Sequence, residues 1–194
     1  MTKDDIRKAL AQRNKKVEHL TGYAPAAVLL PLFQKDGHYH LVFTKRTETV
    51  NYHKGQISFP GGRLHREDRS LQETAVRESW EEIGLRPEDV EILGELDDIA
   101  TYTSNFLISP YVAAIPYPYR FKANPAEVQE IIEVPLYMLQ DKGNFEEEEF
   151  DLDGMPTPQY FYCCGDRVIY GATARIVKQF LEVVAPLPGV VKAS

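Results

Sequence analysis

Cysteine is nearly absent from this chain: two among 194 residues, Cys163 and Cys164, side by side. A disulfide between neighbours strains the preferred bridge geometry, and metal-binding cysteine pairs are usually spaced by two to four residues. Both a disulfide framework and a cysteine-held zinc are therefore disfavoured, and the pair reads as two small strand residues with free thiols in a reducing compartment. Long apolar runs are lacking too. No segment reaches the ~20 residues that cross a bilayer, and the charged start Met1-Thr2-Lys3-Asp4-Asp5 leads into nothing of signal-peptide type. The expectation is a cytoplasmic protein with no membrane partner. Basic clusters are also missing, and the formal charge is −7. Without a basic stripe, a nucleic-acid backbone is excluded as the main partner. A small phosphorylated substrate stays open, provided that divalent cations stand between the two sets of negative charge. Internal repeats are absent, and the one biased tract, the acidic run 146–149, reads as an exposed charged strand or loop.

What is present suits one globular domain over residues 1–194, 43% hydrophobic and 26% charged, large enough to bury a core. Thr2 with Asp5 can cap a first helix over about 3–15, with Ile6 and Leu10 on one face. Apolar runs at 27–33 and 40–44 flank Lys35-Asp36-Gly37 and predict a hairpin. Residues 55–62 read as a loop closed by Pro60-Gly61-Gly62. The strongest helix signal runs from Ser70 to about Ile83, with Gly84 as its stop. Strand-like segments follow near 91–96, 108–115, 159–163 and 167–170. Asn124-Pro125 reads as the cap and first residue of a short helix. A last amphipathic helix covers 172 to about 184, with Ala174, Val177 and Leu181 at helical spacing. Interspersed strands and helices with an early hairpin predict an α/β fold, a mixed sheet sandwiched between helices.

The chemistry concentrates on the helix after Ser70. At about 100° per residue, Val76, Trp80 and Ile83 form one apolar face, expected to be buried. Glu78, Glu81 and Glu82 fall on the opposite side as i, i+3 and i+4 neighbours. Such like-charge pairs cost a helix a few tenths of a kcal/mol each, and Arg77 can offset this by pairing with Glu81. Two readings stand for this face: a solvated acidic surface, or the oxygen ligands that a hard divalent cation requires. Upstream, Phe59-Pro60-Gly61-Gly62 is either a strand-ending turn or a loop that lets backbone groups approach a metal or phosphate closely. A glycine turn followed by Arg-Glu-x-x-Glu-Glu and then glycine favours the metal reading.

At these residues the chain resembles the Nudix hydrolases, whose signature is GX5EX7REUXEEXGU with U apolar. Residues Arg77-Glu78-Ser79-Trp80-Glu81-Glu82-Ile83-Gly84-Leu85 match its second half, with Ser79 at the first apolar position. Gly62, five residues and Asp68 resemble the first half, with Asp for Glu and eight residues before Arg77. That extension, together with Leu41-Val42-Phe43-Thr44-Lys45-Arg46 and Gly55-Gln56-Ile57-Ser58-Phe59-Pro60-Gly61-Gly62, is similar to the subgroup that cleaves coenzyme A. That subgroup usually carries an arginine where this chain has Asn51. Gly171-Ala172-Thr173-Ala174-Arg175 is similar to its terminal helix.

The resemblance implies a Nudix-type α/β/α sandwich whose catalytic element, the Nudix box, spans 62–85. It implies Mg²⁺ or Mn²⁺ held by Glu78, Glu81 and Glu82, with the backbone carbonyl near Gly61, while Arg77 orients the glutamates. Glu127 is the candidate for a further catalytic carboxylate from a later loop, although Asn124-Pro125-Ala126-Glu127 also has the spacing of a helix cap. Arg46, His53 and Lys54, with the backbone at Gly61 and Gly62, are the candidates for binding substrate phosphates; each of the three side chains also reads as solvated surface. Tyr102 and Phe106 read as packing residues rather than a platform for a base, and His65 as surface. The implied partner is a small nucleotide diphosphate of coenzyme A type. ADP-ribose or a dinucleotide is the alternative that Asn51 keeps open. A non-catalytic nucleotide-sensing module is disfavoured because all three box glutamates are present. Oligomeric state is open, a homodimer included.

Overall fold

Thr2 starts the first helix as the sequence predicts: its hydroxyl accepts from the Asp5 amide while the Asp5 carboxylate accepts from the Thr2 amide, a reciprocal cap. In the computed structural model, which describes residues 1–18, 20–47, 55–152 and 154–187, this helix is α1, Lys3–Ala11. It is shorter than the expected 3–15. Beyond Ala11 the chain turns so that Arg13 pairs with Asp97 at 2.9 Å and Lys15 with Glu95 and Asp98 at 2.9 and 3.1 Å. Long-range ion pairs therefore outcompete another helical turn. Ile6 and Leu10 are buried on one face, as predicted.

The hairpin forms from β1 (Ala24–Lys35) and β2 (His38–Arg46), with Asp36 and Gly37 both at positive φ in a two-residue turn. Residues 55–62 are more than a loop. They carry β3 (Ile57–Ser58), paired with β2, and lead into β4 (Gly61–Arg63), paired with β1. Helix α2 (Leu71–Ile83) follows, then β5 (Glu91–Glu95), β6 (Ile99–Ala100) and β7 (Phe106–Ala114). The predicted helix at Asn124-Pro125 does not form. Asn124 closes a single turn, its carbonyl accepting from Glu127 and Val128 amides, and the chain enters β8 (Val128–Pro135) at once. Pairing of β8 with β2 outweighs the local capping signal here.

After the short α3 (Leu136–Gln140) come β9 (Phe145–Leu152), β10 (Met155–Cys164), β11 (Arg167–Tyr170) and α4 (Gly171–Val184). Residues 146–149 lie exposed in β9, and both cysteines are free strand residues of β10.

The main sheet runs β3-β2-β1-β7-β5, with β4 on β1, β6 on β7 and β8 on β2. Its β1–β7 pair is parallel and the other pairs are antiparallel, the mixed sheet expected. Alternation along β1 sends Leu30 and Leu32 to one face and Ala27, Leu29 and Phe33 to the other. On the first side α1 and α4 supply Ile6, Leu10, Val177 and Phe180 to the larger core. On the other side Ala75 and Ile83 of α2 complete a smaller one. Helices thus cover both faces, an α/β/α sandwich. No helix among the described residues is long and apolar enough to cross a membrane.

Candidate active site

Helix α2 is fixed at both ends by its sequence. The Ser70 hydroxyl accepts from the Glu73 amide at 3.1 Å, and Gly84, at φ 68°, adopts the left-handed cap that glycine accommodates without strain. Its buried face differs from the predicted one. Thr74, Ala75, Ser79, Glu82 and Ile83 are buried, whereas Trp80 is 49% exposed and Val76 only partly covered. The small residues Ala75 and Ser79 let α2 lie close on the sheet, and the Ser79 hydroxyl satisfies itself by donating to the Ala75 carbonyl at 2.7 Å. This phase turns Glu82 inward instead of toward solvent.

Glu82 is 3% exposed. One carboxylate oxygen accepts from the Gly61 amide at 3.3 Å, and the other lies 3.7 Å from Nη1 of Arg46 at the end of β2. Burial pushes its pKa up to about 8; the Arg46 charge opposes the shift, and the Glu78 and Glu127 charges add to it. Glu78 is also raised, by burial first, with Arg77 opposing and Glu81 and Glu127 adding. At Gly62 a Cβ would stand 2.5 Å from the Glu78 carboxyl, which would have to move aside. Gly61 is more strictly closed in, since a Cβ would meet the Ala27 backbone carbonyl of β1 at 2.3 Å.

Arg77 ties the carboxylates together. Its Nη1 lies 2.8 Å from Glu78 and 3.1 Å from Glu81, which is half-exposed. Asp68 anchors it, accepting from Nε at 2.8 Å and from Nη2 at 2.9 Å. Asp68 also accepts from the Thr74 hydroxyl and the His65 amide, and the Arg77 guanidinium holds its carboxyl well below the usual range. The sequence marks Asp68 only as a variant of the signature. Its anchoring part depends on a nine-residue separation that the 64–70 loop closes.

Glu127 reaches the same cluster through backbone. The loop before β8 donates amides to the last α2 carbonyls, Lys122 to Ile83 and Asn124 to Glu82, and the Glu127 carbonyl accepts from Thr47 beside Arg46. Of the sequence candidates, the structure therefore brings together Arg46, Gly61, Gly62, Arg77, Glu78, Glu81, Glu82 and Glu127. His53 and Lys54 lie outside the described residues. His65 is exposed, as expected.

No group of three or more His, Cys, Asp or Glu side chains among the described residues is already arranged to hold a metal. Two arginines face the carboxylates instead, Arg46 toward Glu82 and Arg77 toward Glu78 and Glu81. The donor set nevertheless fits a hard divalent cation. Burial first, and then the neighbouring carboxylates, disfavour the charged forms of Glu78 and Glu82 in spite of the two arginines, and oxygen donors are what Mg²⁺ and Mn²⁺ take.

The NUDIX domain family matches residues 22–152, well over half of the chain. The chain belongs to the Nudix hydrolases. It is similar to the uncharacterized Nudix hydrolase NudL of Photorhabdus laumondii, 35% identical over 157 residues that cover 81% of this chain and 83% of the relative. It is also 35% identical to the chloroplastic Nudix hydrolase 22 of Arabidopsis thaliana over 176 residues, 84% of this chain and 56% of that one. Among solved structures it shares its fold with a MutT/nudix family protein from Enterococcus faecalis (TM-score 0.62, 12% identity, 99% of this chain and 78% of that one). A Nudix hydrolase from M. smegmatis, RenU, also has this fold (TM-score 0.59, 16% identity, 89% and 92%). This Nudix hydrolase is an enzyme acting on pyrophosphate bonds.

Proposed function

We propose that this Nudix hydrolase cleaves the diphosphate of coenzyme A or its derivatives, using Mg²⁺ or Mn²⁺, to give 4′-phosphopantetheine species and adenosine 3′,5′-bisphosphate. One observation carries the reading. Arg46, the last residue of the upstream block similar to the coenzyme A subgroup, lies 3.7 Å from Glu82 of the Nudix box. The two halves of the sequence resemblance thus meet at one buried carboxylate. Arg46 also has its Nε buried with no hydrogen-bond partner among the described residues, a donor that a phosphate oxygen would satisfy.

Glu78, Glu81 and Glu82 would hold the metal, which when bound neutralises phosphate charge and lowers the pKa of a water. Arg46 then leaves Glu82 for a phosphate oxygen, exchanging one charge-assisted contact for another. Gly61 keeps its amide on Glu82 with β1 close behind it, and Gly62 leaves space for the Glu78 carboxylate. Arg77, braced by Asp68, positions Glu78 and Glu81 without touching substrate. Glu127 takes the proton of the attacking water. The water oxygen forms the new bond to phosphorus, the bridging P–O bond breaks, and the leaving phosphate departs with the bridging oxygen.

A screen of coenzyme A, dephospho-coenzyme A, ADP-ribose and dinucleotides with Mg²⁺ and Mn²⁺, with products identified by mass, tests this. Coenzyme A is expected to give the highest kcat/KM. ADP-ribose turned over equally well or better overturns the substrate assignment.

A further inference from the structure

The carboxylate cluster opens on one side into a cleft of about 500 Å³. Ala24 and Pro25 of β1 form one wall, Arg63 and His65 a second, and Arg77 and Glu78 a third. Glu78 lines the cleft and belongs to the carboxylate cluster, so the two adjoin. Two of the cleft's nitrogen-bearing side chains are already engaged. Arg77 is committed to Asp68, Glu78 and Glu81, and His65 stands 4.0 Å from Glu67.

Arg63 differs. It is exposed, forms no ion pair among the described residues, and lays its guanidinium over the Phe106 ring, 5.0 Å from the centroid. Phe106 is itself held in place: it stands opposite Ala24 in the β1–β7 register, and its amide donates to the Thr101 hydroxyl at 2.8 Å. With no hydrogen bond or ion pair on them among the described residues, the Arg63 guanidinium N–H donors are available, and a guanidinium receives a phosphate by two such hydrogen bonds. An uncommitted, oriented arginine in a protein of net charge −7 is a selective place for an anion.

We infer that this cleft receives the nucleoside arm of the substrate and that Arg63, steadied on Phe106, binds a terminal phosphomonoester on that arm. The assignment rests on the nucleotide diphosphate reading above and adds a residue that discriminates among such nucleotides. The main-chain carbonyl of Arg63 accepts from Arg77 at 3.3 Å and stays in place when the side chain is changed.

The test is equilibrium binding of adenosine 3′,5′-bisphosphate and of AMP to the full chain with Mg²⁺, by calorimetry. Neither ligand contains a phosphoanhydride, so affinity is read without turnover. The unsubstituted protein is expected to bind the bisphosphate about tenfold or more tighter than AMP, the size of one charge-assisted contact. Arg63→Gln should bring the two within about twofold. Arg66→Gln, the same charge change on the exposed loop outside the cleft, should keep the preference. No preference in the unsubstituted protein, a preference that survives Arg63→Gln, or one lost equally in Arg66→Gln each overturns the inference. If coenzyme A is not cleaved but the Arg63-dependent preference holds, the proposed substrate fails and the subsite stands. If coenzyme A is cleaved and Arg63 is indifferent, only the subsite falls.

Discussion

Helices α2 and α4 are of similar length, 13 and 14 residues, and each lies against a sheet of the same domain, yet they bury different chemistry. The covered face of α4 is wholly apolar: Ala174, Ile176, Val177, Phe180 and Val184. That of α2 includes Thr74, Ser79 and Glu82. Apolar burial stabilises the fold by roughly 25 cal/mol per Å², whereas a buried carboxylate disfavours its own charged form. Helix α4 is therefore built for stability. Helix α2 gives up part of its packing to hold a carboxylate at Gly61 and Arg46. Of these two helices, the one that packs worse by the rules of a core is the one that carries the candidate chemistry.

Four experiments break or sharpen this contrast. The largest effect is expected for Glu82→Gln: kcat falls by about 10³-fold or more through loss of a ligand and of charge, as seen in steady-state assays with Mg²⁺. The same variant should melt on the order of 3–6 °C higher near pH 8 without metal, because the folded protein no longer has to hold a proton that the unfolded chain releases near 4.5. Unchanged kcat would make α2 a structural helix like α4. Next, Phe180→Ala in α4 should lose about 3–5 kcal/mol of stability in urea unfolding, while kcat per folded molecule stays constant. A selective loss of activity there would erase the distinction.

The third experiment reads metal-free stability against pH. Glu82 keeps its proton up to about 8 in the folded protein, while in the unfolded chain the carboxyl titrates near 4.5. Between these values the native state binds more protons than the unfolded state, so stability falls as pH rises through this window and levels off above it. Saturating Mg²⁺, or Glu82→Gln, should flatten that slope in thermal melts; a slope unaltered by Glu82→Gln would assign it to other groups. The smallest effect is expected for Ser79→Ala, within about 0.5 kcal/mol, because its hydroxyl serves only its own helix. A larger loss would mean that Ser79 has a part in the site beyond being small.

The same two helices show what could be read without coordinates. Periodicity located both, and the span expected for α2, from Ser70 to about Ile83 with Gly84 as stop, differs from the helix only in that Ser70 is its cap. For α4 the apolar stripe also identified the buried face, since Ala174 and Val177 are fully covered, although Leu181 sits at its margin. For α2 the stripe of Val76, Trp80 and Ile83 misled, because it assumes that apolar residues go inside. The hairpin at Asp36-Gly37 followed from local turn chemistry, while the helix proposed at Asn124-Pro125 failed because β2 offered that segment a strand partner. Likewise the first helix stopped at Ala11, where ion pairs with residues 95–98 took over, and no local signal announces a partner some 80 residues away.

That Glu78, Glu81 and Glu82 are neighbours on one helix was legible in spacing, because residues three and four apart lie close whatever the rest of the chain does, and the mixed sandwich was legible in the order of strands and helices. Which of those carboxylates is buried, that Arg46 and Glu127 join them, that Asp68 braces Arg77 and that Arg63 rests on Phe106 were decided by tertiary structure alone. Each depends on the phase at which α2 settles on the sheet and on loops that bring together residues far apart in the chain. Side-chain spacing along one element carries no information about either.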